Sequence, residues 1–478
     1  MKKWKPHILT VCLFLIVASC GCENGDTTKP EDTPPSPVVS TYPPANGTDV
    51  ERDVIVTATF RENMDSLSIN NTTFTLRYNP PVSGTVAYDK STRTATFTPD
   101  SLLNSGTTYT ATITTGAKNS SGTPLASDFS WRFIAITPGG PVYLPRTGQT
   151  STWAAGDDGD TEIGVAWPTP RFIDNWDGTV TDQLTDLMWL KDGDCLGIGI
   201  WQGEAYQAID TLNLDPWSLG CQDYTSQRYV DWRLPNVNEL ESLVHAGQHN
   251  TSTWLNAVGF TGVQPRYYWT STTYLQDPRN AWCVYMWLGT VEPQEKRYYK
   301  RLWAVRGKSS QPARVWKTGQ VTSYRPGDDG ELRKGAPWPV PRFLSINLTS
   351  LDYLTGLVWA TNADTPPHGT CTGGIKTWYE ALEYIECLNS HNYGGSSDWR
   401  LPNRKELFSL IDRSQMGPPL PPHHPFVDVQ FGGHGNYWTS TTYAYQTSKA
   451  WVVSMRFAWL DPLDKTSNAW VWPVRGGR

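Results

Sequence analysis

The sequence contains no long block of lysine or arginine, and charged residues make up only 18% of its 478 residues. Its formal net charge of -6 is spread along the chain. Because a protein that holds a phosphate backbone needs a positively charged surface, we expect no nucleic acid partner. The chain is also too long for a single core, and its length predicts about three domains.

Sequence signatures of catalysis are absent as well. There is no glycine-rich phosphate loop, no serine nucleophile elbow and no His-Glu-x-x-His run. We therefore expect no enzyme activity, no catalytic residue and no cofactor. What the chain has in abundance is 24 Trp, 22 Tyr, 40 Gly and 36 Pro. This composition indicates short strands and loops around aromatic cores, and most of the rings are expected to be core residues rather than platforms for sugars.

The N-terminus has the pattern of an export signal. Three lysines precede the apolar run 8–17, which is too short to remain as a transmembrane helix, so residues 1–19 are interpreted as a signal peptide. The segment Val17-Ala18-Ser19-Cys20 resembles a lipobox, which implies a lipid on Cys20 and attachment to a membrane through it. An ordinary signal peptide cleaved nearby is the alternative.

The lipobox resemblance also implies a location in the cell envelope. Gly21 stands where an aspartate would favour retention in the inner membrane, so the outer membrane is the expected site. Whether the protein faces the periplasm or the exterior stays open. Residues 23–37 are rich in proline, threonine and acidic residues, and the segment 20–37 is predicted to be a lipidated, disordered tether.

Residues 38–136 show the period-two alternation of half-buried strands, broken by turn residues. Several such strands without a helix predict a β-sandwich. The motifs 42–50, 103–109 and 131–133 resemble the Ig-like domains of bacterial surface-layer proteins of the SbsA type. That resemblance implies a spacer or an adhesive module.

A long internal repeat fills the rest of the chain. Asp-Trp-Arg-Leu-Pro-Asn at 231–236 recurs at 398–403, Tyr-Trp-Thr-Ser-Thr-Thr-Tyr at 268–274 recurs at 437–443, and both copies end in Val-Arg-Gly. The repeat predicts two homologous domains, copy 1 at 144–308 and copy 2 at 315–478.

Helical spacing of apolar residues predicts a first helix at 201–212 in copy 1 and at 378–388 in copy 2. Asn236 and Asn403, each with a glutamate three residues later, have the capping-box signature of a second helix. A long loop and a group of strands complete each copy.

The repeated motifs resemble the C-terminal domain of the bacterial collagen-like adhesin Lcl, a family of surface domains placed with the C-type-lectin-like fold. The expected fold class is therefore multidomain, with an all-β Ig-like sandwich followed by two α+β C-type-lectin-like domains. The resemblance implies extracellular binding, and the named adhesin attaches to sulfated polysaccharide. Formylglycine-generating enzymes share the broad plan, but the pair of cysteines through which they act cannot be placed here.

Six cysteines remain after Cys12, in the signal peptide, and Cys20 are set aside. In an oxidising compartment we interpret four of them as disulfides that tether the first helix of each copy to the preceding loop, Cys195 with Cys221 and Cys371 with Cys387. Cys22 has no assigned role. Cys283, in an apolar strand, is expected to be a buried free thiol.

Two residue groups could suggest a metal site, but neither leads us to predict one. His245 and His249 are four residues apart, yet copy 2 has Asp412 and Met416 there. The aspartates around Asp177-Gly178 (Asp174, Asp177 and Asp182) are better explained by a hairpin turn than by a calcium loop. Whether calcium is bound stays open.

The loops 246–266 and 416–436 differ between the copies and lie where this fold usually recognises ligands. In or beside these loops the candidate ligand-binding residues are Trp254, Tyr267, Phe426, Phe431 and His434. The function hypothesis is a lipid-anchored, adhesin-like protein that binds a polysaccharide or another surface ligand. The alternative is a non-catalytic scaffold of the cell envelope that contacts proteins, which buried candidate aromatics would favour.

Overall fold

In the computed structural model, the described residues are 37–477 except 44, 46, 52–53, 79–80, 102, 105–106, 137–141, 222–223, 225–228 and 311. The predicted signal peptide, Cys20, Cys22 and nearly all of the predicted tether therefore lie outside the described residues. Within the described part, no helix is both long enough and apolar enough to cross a membrane.

The first folded unit is a two-sheet β-sandwich. One sheet has the strand order β1-β3-β6-β5 and the other β2-β8-β7-β4. Alternate residues of β3, β6 and β7 point into a core that contains Phe74, Phe97 and Trp131. The predicted sandwich is thus present, and its strands are β1 Val38–Tyr42, β2 Gly47–Glu51, β3 Val56–Phe60, β4 Phe74–Arg77, β5 Gly84–Asp89, β6 Thr94–Pro99, β7 Thr107–Ile113 and β8 Phe129–Ile136.

Copy 1 combines short helices with two groups of strands. Its elements are α1 Asp158–Thr161, β9 Phe172–Asp174, β10 Thr179–Asp182, β11 Leu187–Leu190, β12 Ile198–Gly199, α2 Glu204–Leu214, α3 Val237–Glu241, α4 Thr251–Ala257, β13 Tyr267–Thr273, β14 Asn280–Tyr285, β15 Val291–Glu295, β16 Lys300–Arg301 and β17 Val305–Arg306.

Copy 2 repeats most of this order. Its elements are α5 Asp329–Leu332, β18 Phe343–Ile346, β19 Thr349–Asp352, β20 Val358–Ala360, α6 Trp378–Ser390, α7 Arg404–Ser409, β21 Asn436–Thr442, β22 Lys449–Ser454, β23 Leu460–Asp464 and β24 Val474–Arg475.

Both predicted helices of each copy are present. The second ones, α3 and α7, begin at full capping boxes. In each, the asparagine side chain (Asn236 or Asn403) accepts from the backbone N–H of the glutamate three residues later, and the side chain of that glutamate accepts from the backbone N–H of the asparagine. Helix α4 was not predicted, and it lies in the segment interpreted as a loop. Its N-cap is Asn250, whose side chain accepts from the backbone N–H of Thr253.

The two copies share one sheet and one hydrophobic core. The sheet has the strand order β12-β16-β13-β14-β15-β23-β22-β21, and copy 1 meets copy 2 where Val291 of β15 pairs with Leu460 of β23. The buried core residues of both copies form a single continuous cluster. The homologous halves therefore pack as one body around this seam.

Each copy begins with a segment that bonds to the other copy as well as to its own. Arm 1, residues 142–168, reaches β21 of copy 2, where the Gln149 side chain exchanges hydrogen bonds of 2.9 Å with the backbone N–H and C=O of Thr442. Arm 2, residues 313–339, makes the equivalent bonds from Gln320 to Thr273 of copy 1, at 2.8 and 2.9 Å. The contacts are reciprocal, as in an exchange of arms between the copies.

Candidate functional site

The structure contains both predicted disulfides. Cys195 is bonded to Cys221 and Cys371 to Cys387, with Cα atoms 5.1 and 5.7 Å apart. Cys283 is a buried free thiol, and burial raises its pKa well above the usual range. A thiol that stays protonated is a poor nucleophile, so Cys283 has no chemistry of the kind a catalytic cysteine needs.

The aspartates of the first hairpin of copy 1 have structural partners. Asp177 and Gly178 form the turn between β9 and β10, and the Asp177 carboxylate accepts from the backbone and hydroxyl of Thr179. Asp182 is buried and paired with Arg171 at 2.8 Å. These contacts fit the hairpin turn that the sequence favoured over a calcium loop.

The histidine pair of copy 1 is divided between core and surface. The His245 ring lies edge-on to Trp167 and Trp254, with centroids 4.8 and 4.7 Å away, and burial lowers its pKa to about 4. His249 is exposed, and helix α3 ends at Glu241, before both histidines. The helical spacing assumed for a shared metal is therefore not present.

Elsewhere in the described part, Cys371, Cys387 and His391 bring potential metal-ligand atoms within 4.8 Å of one another. Both sulfur atoms belong to the disulfide, and a ligating cysteine must be a thiolate. This cluster therefore does not suit a metal ion while the disulfide is intact.

The structure separates the predicted ligand-binding residues. Phe426 is buried against Trp472, with ring centroids 4.8 Å apart, so its ring is not available to a ligand. Trp254 is half-buried and packs on Phe172 at 5.7 Å. Phe426 belongs to the core and Trp254 packs against it, and a sequence pattern does not distinguish such rings from a ligand platform.

The remaining predicted residues are accessible. Phe431 is 44% exposed and His434 is exposed, both in the loop before β21. Tyr267 is half-exposed at the start of β13 in copy 1. Tyr267 is the residue from which a larger aromatic surface extends.

We call this surface the aromatic row. The Tyr267 ring stacks on Tyr285 with centroids 4.5 Å apart, Tyr285 lies 6.3 Å from Trp287, and Trp287 lies 5.9 Å from Tyr445 of copy 2. Trp287 is 36% exposed and Tyr445 is 52% exposed. The row therefore crosses the seam between the copies and presents ring faces and edges to solvent.

Positive charge flanks the copy 1 end of the aromatic row. The Lys300 ammonium lies 5.2 Å from the Tyr267 ring centroid and 5.9 Å from that of the exposed Tyr298. Among the described residues, no carboxylate pairs with Lys300. The Tyr267 hydroxyl donates to Glu292, and burial and this carboxylate raise the pKa of Tyr267 well above its usual range. The Tyr267 phenol therefore stays neutral, and the Lys300 ammonium group beside the row has no ion pair with a described residue.

Sequence reasoning missed three members of the row. Tyr285 ends an apolar strand, Trp287 follows in a turn, and Tyr445 of copy 2 lies in a different turn, the one between β21 and β22. The available signal was Tyr-Met-Trp at 285–287, where copy 2 has Ser-Met-Arg at 454–456. The sequence could not predict that the strands of the two copies join at the seam, because a single residue pair, Val291 with Leu460, connects the two halves of the sheet.

Comparison with known protein families assigns a family to the two copies and to the first folded unit. The model of the Lcl C-terminal domain matches residues 178–306 and 348–475, just over half of the chain. The chain belongs to the Lcl C-terminal domain family. A bacterial Ig-like domain model matches residues 31–134. Two Lcl C-terminal domains behind an Ig-like domain indicate a surface or adhesin-like protein.

No curated protein matches the chain. Among solved structures, the copper resistance protein PcoC from Escherichia coli is 18% identical, covering 20% of this chain and 97% of that one with a TM-score of 0.17. Domains 1–6 of the surface layer protein SbsC are 20% identical, covering 23% and 16% with a TM-score of 0.18. CopC from Methylosinus trichosporium OB3b is 13% identical, covering 21% and 93% with a TM-score of 0.18. Likeness this weak carries no functional argument for the Lcl C-terminal domains or the Ig-like unit.

Proposed function

We propose that this protein is a non-catalytic surface lipoprotein that binds an extracellular polysaccharide through the aromatic row. The observation that carries the proposal is the continuity of the row across the seam, from Tyr267 through Trp287 to Tyr445. Aromatic faces bury the apolar faces of sugar rings, and their cost in side-chain entropy is low. A row several rings long suits a repeating ligand better than a single sugar.

The free ammonium of Lys300 beside Tyr267 and Tyr298 favours an anionic polysaccharide, such as a sulfated one. Sulfate groups accept charge-assisted hydrogen bonds, which are stronger than neutral ones. The overall charge of -6 would repel a polyanion at long range, so a local positive group has to set the place of contact.

The proposal includes the C-type-lectin-like assignment of both copies, supported by their two helices and antiparallel strands. It also includes the lipid on Cys20 and an outer-membrane location, periplasmic or surface-exposed, which rest on the lipobox resemblance. The scaffold alternative is supported by the burial of Phe426 and by the packing of Trp254 against the core. In that alternative the aromatic row would contact a protein.

The test is binding of the full chain to a glycan array that includes sulfated polysaccharides and their desulfated forms. We expect binding to a sulfated polysaccharide, and we expect Trp287→Ala and Tyr445→Ala each to weaken it about tenfold, the effect of losing about 1.4 kcal/mol of ring contact. Lys300→Ala should lower the affinity for the sulfated ligand and leave the affinity for the desulfated one unchanged.

Trp217→Ala is the matched control, since Trp217 is 64% exposed on the 3-10 helix Pro216–Leu219 and is not part of the aromatic row. It should bind like the wild type. A blank array from correctly disulfide-bonded protein, or equal binding by the row variants and the control, would overturn the proposal and favour the scaffold.

A further inference from the structure

The same face of the sheet differs between the two copies. The strand pairs β13–β14 and β21–β22 have the same register, so Tyr267 and Tyr285 of copy 1 correspond to Asn436 and Ser454 of copy 2. In copy 1 the two tyrosine rings stack and fill this face. In copy 2 an amide and a hydroxyl replace them, and the space they would occupy is open.

The open space is a pocket of about 160 Å³. Its wall includes the Trp459 indole, which stacks on Phe457 with centroids 4.7 Å apart, and its rim includes His434 and Asn436. We call it the copy 2 pocket. Its remaining lining comes from Val452, Ser454, Asp461, Pro462 and Leu463.

Asp461 is the charged group of the copy 2 pocket. It corresponds to Glu292 of copy 1, whose carboxylate accepts from the Tyr267 hydroxyl. The Asp461 carboxylate has no such donor, and among the described residues it has neither a side-chain hydrogen bond nor an ion pair. Burial and the nearby Glu292 raise its pKa to about 6. A half-buried carboxylate without a partner is costly, and a cation that entered the pocket would relieve that cost.

Other charged groups near the copy 2 pocket do not neutralise Asp461. The Arg456 guanidinium donates to the backbone C=O of Gly433 and lies over Phe457. His434 stands at the rim with its ring 6.1 Å from Phe457. Lys449 pairs with Asp464 at 3.8 Å, further along β23. Asp461 therefore has no cationic partner among these groups, and the nearby Glu292 is a second negative charge.

We propose that the copy 2 pocket binds an amine-bearing sugar residue, whose ammonium group pairs with Asp461 while its ring packs on Trp459. This inference rests on the proposed function, that the chain binds extracellular glycans, and it assigns copy 2 a ligand group of opposite charge to the one Lys300 favours in copy 1. The Trp459 face adds a cation–π contribution to the ion pair. Asn436 supplies donors and an acceptor for ring hydroxyls.

The test is titration of the full chain with a chitosan tetramer, which carries free amines, and with a chitin tetramer, in which they are acetylated. We expect the chitosan tetramer to bind at least about tenfold more tightly near neutral pH. Asp461→Asn preserves shape and removes the charge, and it should lower chitosan affinity at least about tenfold, as expected for one lost charge-assisted hydrogen bond. Asn436→Tyr restores the copy 1 residue and should close the pocket.

Asp464→Asn is the matched control on the same strand, because Asp464 is exposed and does not line the pocket. Equal affinity for the two tetramers, or unchanged chitosan affinity in Asp461→Asn, would overturn the inference. A chain that binds sulfated polysaccharide but neither tetramer would also overturn it, while leaving the proposed function in place.

Discussion

Asp158 of arm 1 and Asp329 of arm 2 are buried carboxylates that join the two copies. Asp158 accepts from Thr147 of its own arm and from Thr441 of copy 2, both at 2.6 Å. Asp329 accepts from Thr318 at 2.6 Å and from Thr272 of copy 1 at 2.7 Å. Burial raises the pKa of each to about 6, because the threonine hydroxyls offset only part of the lost hydration.

These raised pKa values predict an unusual dependence of stability on pH. Between about pH 4 and pH 6 the folded chain holds protons on both aspartates that the unfolded chain has released, so their contribution is present at low pH and lost as pH rises through 6. The double variant Asp158→Asn with Asp329→Asn cannot titrate there. On going from pH 7 to pH 4, the wild type should gain stability relative to this variant.

Urea unfolding of both proteins at pH 7, 5 and 4 measures this difference. Comparing two chains cancels the groups they share, including His245, whose lowered pKa acts in the opposite direction. Parallel pH profiles would show that the two aspartates do not titrate as the contacts imply.

At the scale of single residues, the sequence was most informative where chemistry depends on local spacing. The capping asparagines and the cysteine pairs follow from neighbours a few residues away or from the predicted helices. Trp254 and Phe426 were less predictable, because an aromatic side chain in a loop can face either solvent or the core. The pocket beside Asp461 could not be foreseen, since the strand register that places Asn436 opposite Ser454 is a property of the fold.

At the scale of elements, the repeat gave the order of the helices and strands but not the exchange of the arms. Each arm forms the start of its own copy in sequence, while Gln149 and Gln320 bond to the strand of the other copy. A sequence repeat cannot distinguish an arm that folds back from one that crosses, because the residues are the same in both cases. The domain bounds 144–308 and 315–478 thus remain a prediction about homology, and they do not describe which segments touch.

The exchange predicts which of the two arms stabilises an isolated copy 1. Fragment 142–312 carries copy 1 with arm 1, whose partner Thr442 is missing. Fragment 169–339 carries the same copy with arm 2, which bonds to Thr272 and Thr273 of that copy. Both fragments expose the same seam strand, β15. We expect the second fragment to unfold at the higher urea concentration and with the sharper transition.

Circular dichroism during urea titration of both fragments, with the Cys195–Cys221 disulfide intact, gives the comparison. Equal midpoints would show that the arms add little to copy 1. A higher midpoint for fragment 142–312 would show that the contacts of arm 1 within copy 1, such as Trp167 with His245 and Trp254, stabilise copy 1 more than arm 2 does.

At the scale of the whole molecule, the two copies form one continuous sheet whose outer face has two kinds of surface. The copy 1 side has the aromatic row and the free ammonium of Lys300. The copy 2 side has a pocket with an unpaired carboxylate, Asp461. Because these surfaces lie on one body, contacts with both would be made by one ligand without the entropy cost of ordering a linker.

The Ig-like unit and the proposed tether fit a display role for this face. The sandwich has its own core, and among the described residues this core forms a cluster separate from that of the two copies. A lipid on Cys20 followed by a tether and a sandwich would hold the body formed by the two copies away from the membrane. This arrangement follows from the order of the segments along the chain.

The most direct measurement is a crystal structure of the protein with a sulfated oligosaccharide of the kind the array identifies. The account predicts sugar rings packed along Tyr267, Tyr285, Trp287 and Tyr445, with a sulfate group within hydrogen-bond distance of the Lys300 ammonium. An oligosaccharide bound on another face, with the aromatic row still open to solvent, would contradict it.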